Sequence, residues 1–391
     1  WELETINPLK NAYDVSLKKQ GSSFFVGVAS SGERELLTYL FAIFALNVRD
    51  ALIVVDEPEL HLHPKWQKTL LKLFAQLAES TGNQFLLATH SPTFISPESI
   101  QYVSRVFSRD QQSNILRLAT TNLPDARHLL QIVNSQNNEG IFFADEVILV
   151  EGLSDRIFFE AVLDRFGRGT TYKSTVEVIS VGGKGLFKAY EKLLAACQVP
   201  YSIIADRDYI EEIGTESIKK LFKLDEGKIK KDVIDKINSS DGKSLVARIE
   251  EAMTTGSWTD AQATWTYIKS RRKQIRDDLK APEISQLEQF IVGKRSEHIY
   301  LLKEGALEDY LPVGFRDKDL DKLIQFVAST DFWSKLSVDA RQELSTIARL
   351  LMPDVIGADW PAPGSEDTKL GVLMEREVRH GASEIYAGVQ A

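Results

Sequence analysis

The sequence predicts an α/β protein built on parallel sheets. Three observations carry that prediction. The run Val147 to Val150 is apolar without alternation, as in a central strand covered on both faces, and Leu52 to Val55 and Ile203 to Ala205 are likewise all-apolar. Segments of helical period separate such runs, so strand and helix alternate as in right-handed βαβ units. The three runs end on acids, at Asp56-Glu57, Glu151 and Asp206-Arg207-Asp208. The carboxyl ends of parallel strands are where open α/β sheets place their chemistry.

The chain has 391 residues, enough for about two or three domains with a core each. Its hydrophobic share of 43% and charged share of 26% are those of an ordinary globular protein. A net charge of −9 argues against a protein that coats DNA nonspecifically, although it permits a local basic groove. The single cysteine, Cys197, excludes an internal disulfide framework and a Cys-rich zinc site, and it is expected as a small apolar residue in the helix before Pro200. With no signal peptide and no membrane-spanning apolar run in view, the expected compartment is the cytoplasm. The chain opens on Trp1 and is expected to be part of a longer protein.

Residues 1–28 carry weak strand signals, such as Phe24 to Val28. Then Ala29-Ser30-Ser31-Gly32-Glu33-Arg34-Glu35 precedes the apolar helical run Leu36 to Leu46. Small residues there expose the backbone N–H groups of a first helical turn, a geometry that binds phosphate. Taken alone, the same residues describe a helix capped by serine. The strand ending at Asp56-Glu57 can give one carboxylate to a Mg²⁺ shell and another to polarise water. A helix from Lys65 to Glu79 follows, with Leu70, Leu71, Phe74 and Leu77 on one face. The strand Gln84 to Ala88 then ends in Thr89-His90-Ser91-Pro92, where a histidine could contact a γ-phosphate. His61 and His63 have no third ligand nearby, so packing is preferred to a zinc site.

In this order the motifs resemble the second half of an ABC-type ATPase head. The variant Asp56-Glu57-Pro58-Glu59-Leu60-His61-Leu62-His63-Pro64 resembles the heads of DNA-repair and phage-defence proteins. The resemblance implies that Ser31 and Gly32 belong to a signature motif contacting nucleotide held by a partner subunit. It implies that Asp56 helps hold Mg²⁺, Glu57 is the catalytic base and His90 the switch histidine. An ABC head also needs a Walker A loop to cradle phosphates. Gly182-Gly183-Lys184 lacks the leading glycine and lies downstream of the Asp56 strand, where that loop does not belong. This stretch alone is therefore expected not to hydrolyse ATP. The expectation is that a preceding lobe supplies this loop, or that another polypeptide does.

Val103 to Arg109 and Asn114 to Ala119 read as short strands about a polar turn, and Asp125 to Ser135 as a helix. The polar loop Gln136 to Gly140 is the best boundary.

Beyond it, Glu151 ends its strand and Gly152 turns into a helix whose first turn carries Asp155. Asp155 alone also suits a helix cap. Ile157, Phe158, Ala161, Val162 and Leu163 form that helix's apolar face. The strand Val176 to Val181 leads into Gly182-Gly183-Lys184-Gly185, a tight βα turn whose lysine could touch a phosphate or a metal-bound acid. Then comes the strand ending in Asp206 and Asp208. Carboxylates crowded at neighbouring strand tips repel unless cations neutralise them. Two Mg²⁺ or Mn²⁺ ions at such a site can activate water and stabilise both the phosphate charge and the leaving oxygen.

Acid-Gly-x-x-Asp on one strand and Asp-x-Asp on another resemble a Toprim domain. A Toprim domain behind an ABC head resembles the OLD (overcoming lysogenization defect) family, with Gabija-type nucleases and retron-linked ATPase–Toprim effectors as relatives. The resemblance implies a metal set of Glu151, Asp155, Asp206 and Asp208. It adds an acid from Leu302-Lys303-Glu304-Gly305-Ala306-Leu307-Glu308-Asp309-Tyr310-Leu311, with Glu308 the match and Glu304 the alternative. It also implies a lysine acting on the transition-state charge, for which Lys303 and Lys369 are candidates.

The expected layout is thus a partial ABC-type head over 1–135 and a Toprim domain over 141–315. The latter has a helical insertion at about 210–298, and a helical carboxyl-terminal region covers 316–391. The insertion carries Lys219, Lys220, Lys223, Lys228, Lys230, Lys231, Arg271, Arg272, Lys273 and Arg276, with Trp258, Trp265 and Tyr267 between them. It reads either as a solvated subdomain or as a clamp on DNA phosphates. Asp225, Glu226 and Asp232 beside the lysines favour the solvated alternative there. The tail has apolar faces at Phe326, Val327, Phe332, Trp333 and Leu336, is broken by Pro353 and Pro361 to Gly364, and carries no expected role beyond Lys369.

The resemblance implies a metal-dependent DNA endonuclease or nickase, assembled or gated by an ATP-binding head, in defence against phage. Its partners would be DNA, a second copy or more through the heads, and a defence-system protein or RNA, with no membrane. The alternative is a DNA-binding ATPase clamp of the recombination-mediator type with a non-catalytic Toprim-like domain.

Overall fold

The structure is a computed structural model that describes residues 2–7, 12–19, 22–28, 30–45, 47–60, 62–109, 111–118, 122–134, 139–167, 175–224, 273–316 and 319–353, with scattered positions between 247 and 262. The chain divides into two compact units, Trp1–Phe143 and Ala144–Ala391. Among the described residues no helix is long and apolar enough to cross a membrane.

The first unit begins with an antiparallel meander, β1 (Glu2–Asn7), β2 (Ala12–Lys19) and β3 (Ser22–Phe25). Helix α1 (Ser31–Ala45) follows. Strands β4 (Leu52–Asp56) and β5 (Gln84–Ala88) pair in parallel, joined by helix α2 (Pro64–Thr81). The Nδ1 of His63 accepts the Lys65 N–H at 3.2 Å and so caps α2. This gives His63 a structural task, while His61 lies outside the described residues. At the other end Gly82, at φ 73°, closes the helix by donating to the Ala78 carbonyl. Apolar residues of α1 and α2 (Ile43, Leu70, Phe74 and Leu77) cover one face of the pair, against Ile53, Val55, Phe85 and Leu87.

Strand β4 reads as all-apolar from Leu52 to Val55 in sequence, yet among the described residues only one of its faces is covered. Leu52, Val54 and Leu86 point the other way and stay 64%, 63% and 58% exposed. Side chains alternate along a strand, so covering one face leaves every second residue out. The hairpin β6 (Ser104–Arg109) and β7 (Gln112–Arg117) and helix α3 (Ala126–Asn134) lie close to the expected limits.

In the second unit β8 (Glu146–Val150), β9 (Val176–Ser180), β10 (Tyr201–Ala205) and β13 (Ile299–Leu301) form a parallel sheet in the order β13-β10-β8-β9. Val147 to Val150 are fully buried, as their unbroken apolarity requires. Helices α4 (Leu153–Arg165) and α5 (Phe187–Ala196) make the crossovers. From β8 the chain steps outward to β9, then returns across β8 to β10. That reversal puts a crevice between the carboxyl ends of β8 and β10.

The insertion between β10 and β13 is not purely helical. Short helices α6 (Ile210–Ile213) and α7 (Glu216–Lys219) precede β11 (Phe222–Leu224), which pairs antiparallel with β12 (Lys273–Ile275); α8 (Ala281–Lys294) follows. The carboxyl-terminal helices are likewise not a separate region in their described part. After α9 (Leu307–Tyr310), helices α10 (Leu320–Val327), α11 (Phe332–Lys335) and α12 (Val338–Leu351) share one apolar core with α4 and the sheet. Trp333 meets Phe166 edge to face at 5.4 Å between centroids, a contact adding about 0.5–1.5 kcal/mol to the area buried. The physical reason is that α4 cannot cover its apolar residues with the sheet alone.

Candidate metal centre

β8 and β10 are neighbours in register from Val147↔Tyr201 to Leu149↔Ile203. Adjacent strands lie about 4.8 Å apart, so residues that leave their carboxyl ends meet. Glu151, Asp206 and Asp208 there offer carboxylate oxygens all within 4.8 Å of one another. The glycine turn after β9 closes on the same point. The N–H groups of Gly182 and Gly183 both donate to the Glu151 carbonyl at 3.0 Å. The two glycines sit at φ 78° and 125°, which side-chain-bearing residues rarely adopt. The turn drives Lys184 inward until 7% of its side chain is exposed, with Nζ 3.7 Å from Oε2 of Glu151 and in contact with Oδ1 of Asp208.

Asp155 takes the capping role that the sequence offered as one of two alternatives, and it stands beside the clustered acids. Its Oδ2 accepts the Gly152 N–H at 2.9 Å, capping α4, and its carboxyl also lies in the field of the acids. Burial, with the charges of Glu151 and Glu308, pushes its pKa up to about 6 against the pull of the Gly152 hydrogen bond. Burial raises Asp206 well above the ordinary range too, helped by Asp155, Asp208 and Glu151 and opposed by Lys184. Acids held this close and this dry could hold a cation beside Lys184. The donors are all carboxylate oxygens, which suits a hard divalent ion, so the residues fit Mg²⁺ or Mn²⁺.

The turn from Leu302 to Tyr310 completes the surroundings. The Leu307 N–H donates to Oδ1 of Asp206 at 3.2 Å. The Arg207 N–H donates to the Gly305 carbonyl at 2.8 Å, and the Arg207 guanidinium donates to the Lys303 carbonyl. Gly305 is at φ 137°, and a Cβ there would lie 2.5 Å from Oδ2 of Asp309, so only glycine fits. Of the two alternative acids, Glu308 acts on Asp155, whereas the charge of Glu304 is felt at Arg207 and Tyr310. Lys303 is exposed and its charge acts on Glu343; Lys184 is the lysine brought against the acids. Lys369 lies outside the described residues.

In the first unit Ser30 and Glu33 form a reciprocal cap on α1. The Glu33 N–H donates to Ser30 Oγ at 3.3 Å, and the Ser30 N–H and hydroxyl donate to Glu33 Oε2 at 3.0 and 2.8 Å. Ser31 and Gly32 therefore lie in the first turn of that helix. Register pairs Asp56 with Ala88, and the Glu57 N–H donates to the Ala88 carbonyl at 2.8 Å. Glu57 takes φ 46°, a strained value for a non-glycine residue, and its Oε1 lies 3.8 Å from Nε2 of His90. Sequence reasoning missed Glu59. Its Oε1 accepts the Thr89 hydroxyl at 2.7 Å, the His90 N–H at 2.8 Å and the Ser91 N–H at 3.1 Å.

Comparison with known proteins agrees with both units. Residues 19–96 match the family described as "AAA domain, putative AbiEii toxin, Type IV TA system". Residues 142–208, which hold Glu151, Asp155, Asp206 and Asp208, match the family described as overcoming lysogenization defect protein-like, TOPRIM domain. The chain joins an AAA-type ATPase segment to an OLD-like Toprim domain. It is 23% identical to the Old nuclease of Escherichia phage P2 over 82% of its own length and 54% of that protein. It is 24% identical to the OLD nuclease of Thermus scotoductus, over 55% of its length and 42% of the relative. With endonuclease GajA of Bacillus cereus the identity is 27%, over 53% and 36%. The chain thus spans about half or less of the length of these relatives.

Four of the described cations of the Toprim insertion are paired, and Lys220 makes no ion pair among the described residues. Lys219 meets Glu216, Lys223 meets Asp277, Lys273 meets Glu211, and Arg276 meets Asp278 and Glu283. These pairs fit the solvated alternative for those four residues. Lys228, Lys230, Lys231, Arg271, Arg272, Trp258, Trp265 and Tyr267 lie outside the described residues.

Proposed function

We propose that this chain is the nuclease-bearing part of a metal-dependent DNA endonuclease or nickase whose ATPase head gates or assembles it, acting in defence against phage. One observation carries the proposal: Glu151, Asp206 and Asp208 converge within 4.8 Å at the reversal point of a Toprim sheet. Glu151, Asp206 and Asp208 would hold Mg²⁺ or Mn²⁺, with Asp155 and Glu308 beside them. Bound there, the ions supply an activated water and charge neutralisation at the scissile phosphate. The buried strand ends keep the carboxylates fixed, so little reorganisation is needed when charge develops. Lys184 balances the acids, and Lys303, exposed on the adjoining turn, would act on the transition-state charge, a role for which Lys369 is the second candidate.

In the head, Asp56 would help hold Mg²⁺ at ATP, Glu57 would orient the attacking water and His90 would sense the γ-phosphate. Ser31 and Gly32 would meet nucleotide held by a second copy, so ATP would favour a homodimer or larger assembly. A phosphate-cradling loop has to come from outside this sequence.

The test is supercoiled plasmid incubated with the full-length protein and Mg²⁺ or Mn²⁺, with EDTA and Asp206→Asn as controls. Nicking that needs metal and Asp206 supports the proposal. Plasmid left intact with both metals refutes it, and leaves DNA binding by a non-catalytic Toprim-like domain to be measured in its place.

A further inference from the structure

We infer that Glu343, on the carboxyl-terminal helix α12, is a positioning residue for the metal centre. Both of its oxygens hold the turn that carries Lys303 and Glu308. Oε1 accepts the Lys303 N–H at 3.0 Å and Oε2 accepts the Tyr310 hydroxyl at 2.7 Å. The Tyr310 oxygen in turn accepts the Glu304 N–H at 3.1 Å. The two ends of the turn are thus tied to one side chain, and between them the Leu307 N–H reaches Asp206.

Glu343 is 9% exposed, on a helix whose Leu344, Ile347 and Ala348 lie in the apolar core. A carboxylate is costly in such surroundings unless hydrogen bonds compensate it. The pattern of donors also requires a carboxylate. Lys303 N–H and Tyr310 O–H donate to different oxygens, so in this geometry the partner accepts at two atoms. A glutamine accepts at one oxygen and would turn its amide toward one of the two donors. Tyr310 cannot simply reverse its hydroxyl, because its oxygen already receives the Glu304 N–H. An acid that reads as an ordinary helix residue is therefore matched to the geometry of the turn, and through it to Asp206, Glu308 and Lys303.

This inference rests on the nuclease proposal only for its catalytic arm. The experiment compares wild type with Glu343→Gln, Tyr310→Phe and Leu344→Ala, each well below its unfolding temperature. Leu344 is buried on the same helix and its side chain has no hydrogen-bonding atom, so its variant is the control for lost packing without a lost hydrogen bond. Amide exchange over residues 302–311 should quicken roughly tenfold in Glu343→Gln and Tyr310→Phe and remain near wild type in Leu344→Ala. Mn²⁺ affinity or plasmid nicking should fall roughly 10–100-fold in the same two variants, because a small misplacement of the turn is enough. Exchange and affinity unchanged in Glu343→Gln would overturn the inference. So would Leu344→Ala losing as much as Glu343→Gln, or faster exchange with no change at the site. If wild type does not cut DNA, the nuclease proposal fails, while exchange and Mn²⁺ affinity still decide the part played by Glu343.

Discussion

The ammonium of Lys184 lies 3.7 Å from Oε2 of Glu151, buried among the acids that form the candidate metal centre. It contacts Asp208 as well, so one protein cation serves two of the three clustered carboxylates. Removing one partner of a buried ion pair costs about 3–5 kcal/mol, because the remaining charge stays buried. Lys184→Met is therefore expected to lower the melting temperature of the metal-free protein. The gain in melting temperature on adding Mn²⁺ should be larger than in wild type, since the ion then supplies the missing charge. Thermal scans in EDTA and in MnCl₂ check both, and equal melting temperatures in EDTA would remove Lys184 from this role.

The pH dependence follows from Asp155. Its pKa rises from 3.8 to about 6 on folding, chiefly through burial. Between those values the folded protein binds more protons than the unfolded one, so stability falls as pH rises through the window and stays lower above it. In EDTA, wild type should lose stability from about pH 4 to pH 6 relative to Asp155→Asn, which has no such proton to release. With Mn²⁺ present the loss should shrink, because the ion favours the ionised acid. Melting temperature against pH for both proteins measures this, and parallel curves in EDTA would contradict it.

The loop with His90 depends on Glu59. Hydrogen bonds to a charged group contribute about 1.5–3 kcal/mol, and Glu59 receives three from Thr89, His90 and Ser91. Glu59→Ala should speed amide exchange at His90 and Ser91 by roughly tenfold or more. Unchanged exchange there would show that the loop is held by other contacts.

The paired cations of the insertion predict a negative result. Lys223→Ala and Arg276→Ala should leave the salt dependence of DNA binding unchanged, because each already faces a carboxylate. Anisotropy titrations on labelled duplex at several salt concentrations would reveal a phosphate contact as a loss of slope of about one.

Much of the site was legible because its residues sit where strands end. Val147 to Val150 read as a buried strand, and that reading puts Glu151 at its tip. That Glu151 and Asp206 are neighbours was not legible in the same way. It depends on β10 pairing with β8 although β9 comes between them in sequence, a choice made by tertiary packing. Strand β13 is three residues long and offers too little period to read. Phe222 and Ile275 are too far apart in sequence for local pattern to reveal their pairing. Glu343 and Glu59 look like surface acids until their partners are known, since a hydrogen bond to a distant backbone N–H leaves no trace in spacing. Lys184 was legible as a residue able to touch an acid, but only the positive φ of Gly182 and Gly183 explains why it points inward.

The most direct measurement of the central claim is anomalous scattering from crystals of the protein soaked in Mn²⁺. The expected result is a peak bounded by the carboxylates of Glu151, Asp206 and Asp208 that disappears in Asp206→Asn. Metal-dependent nicking by the same protein with no peak at these residues, or with a peak elsewhere that survives Asp206→Asn, would contradict the claim.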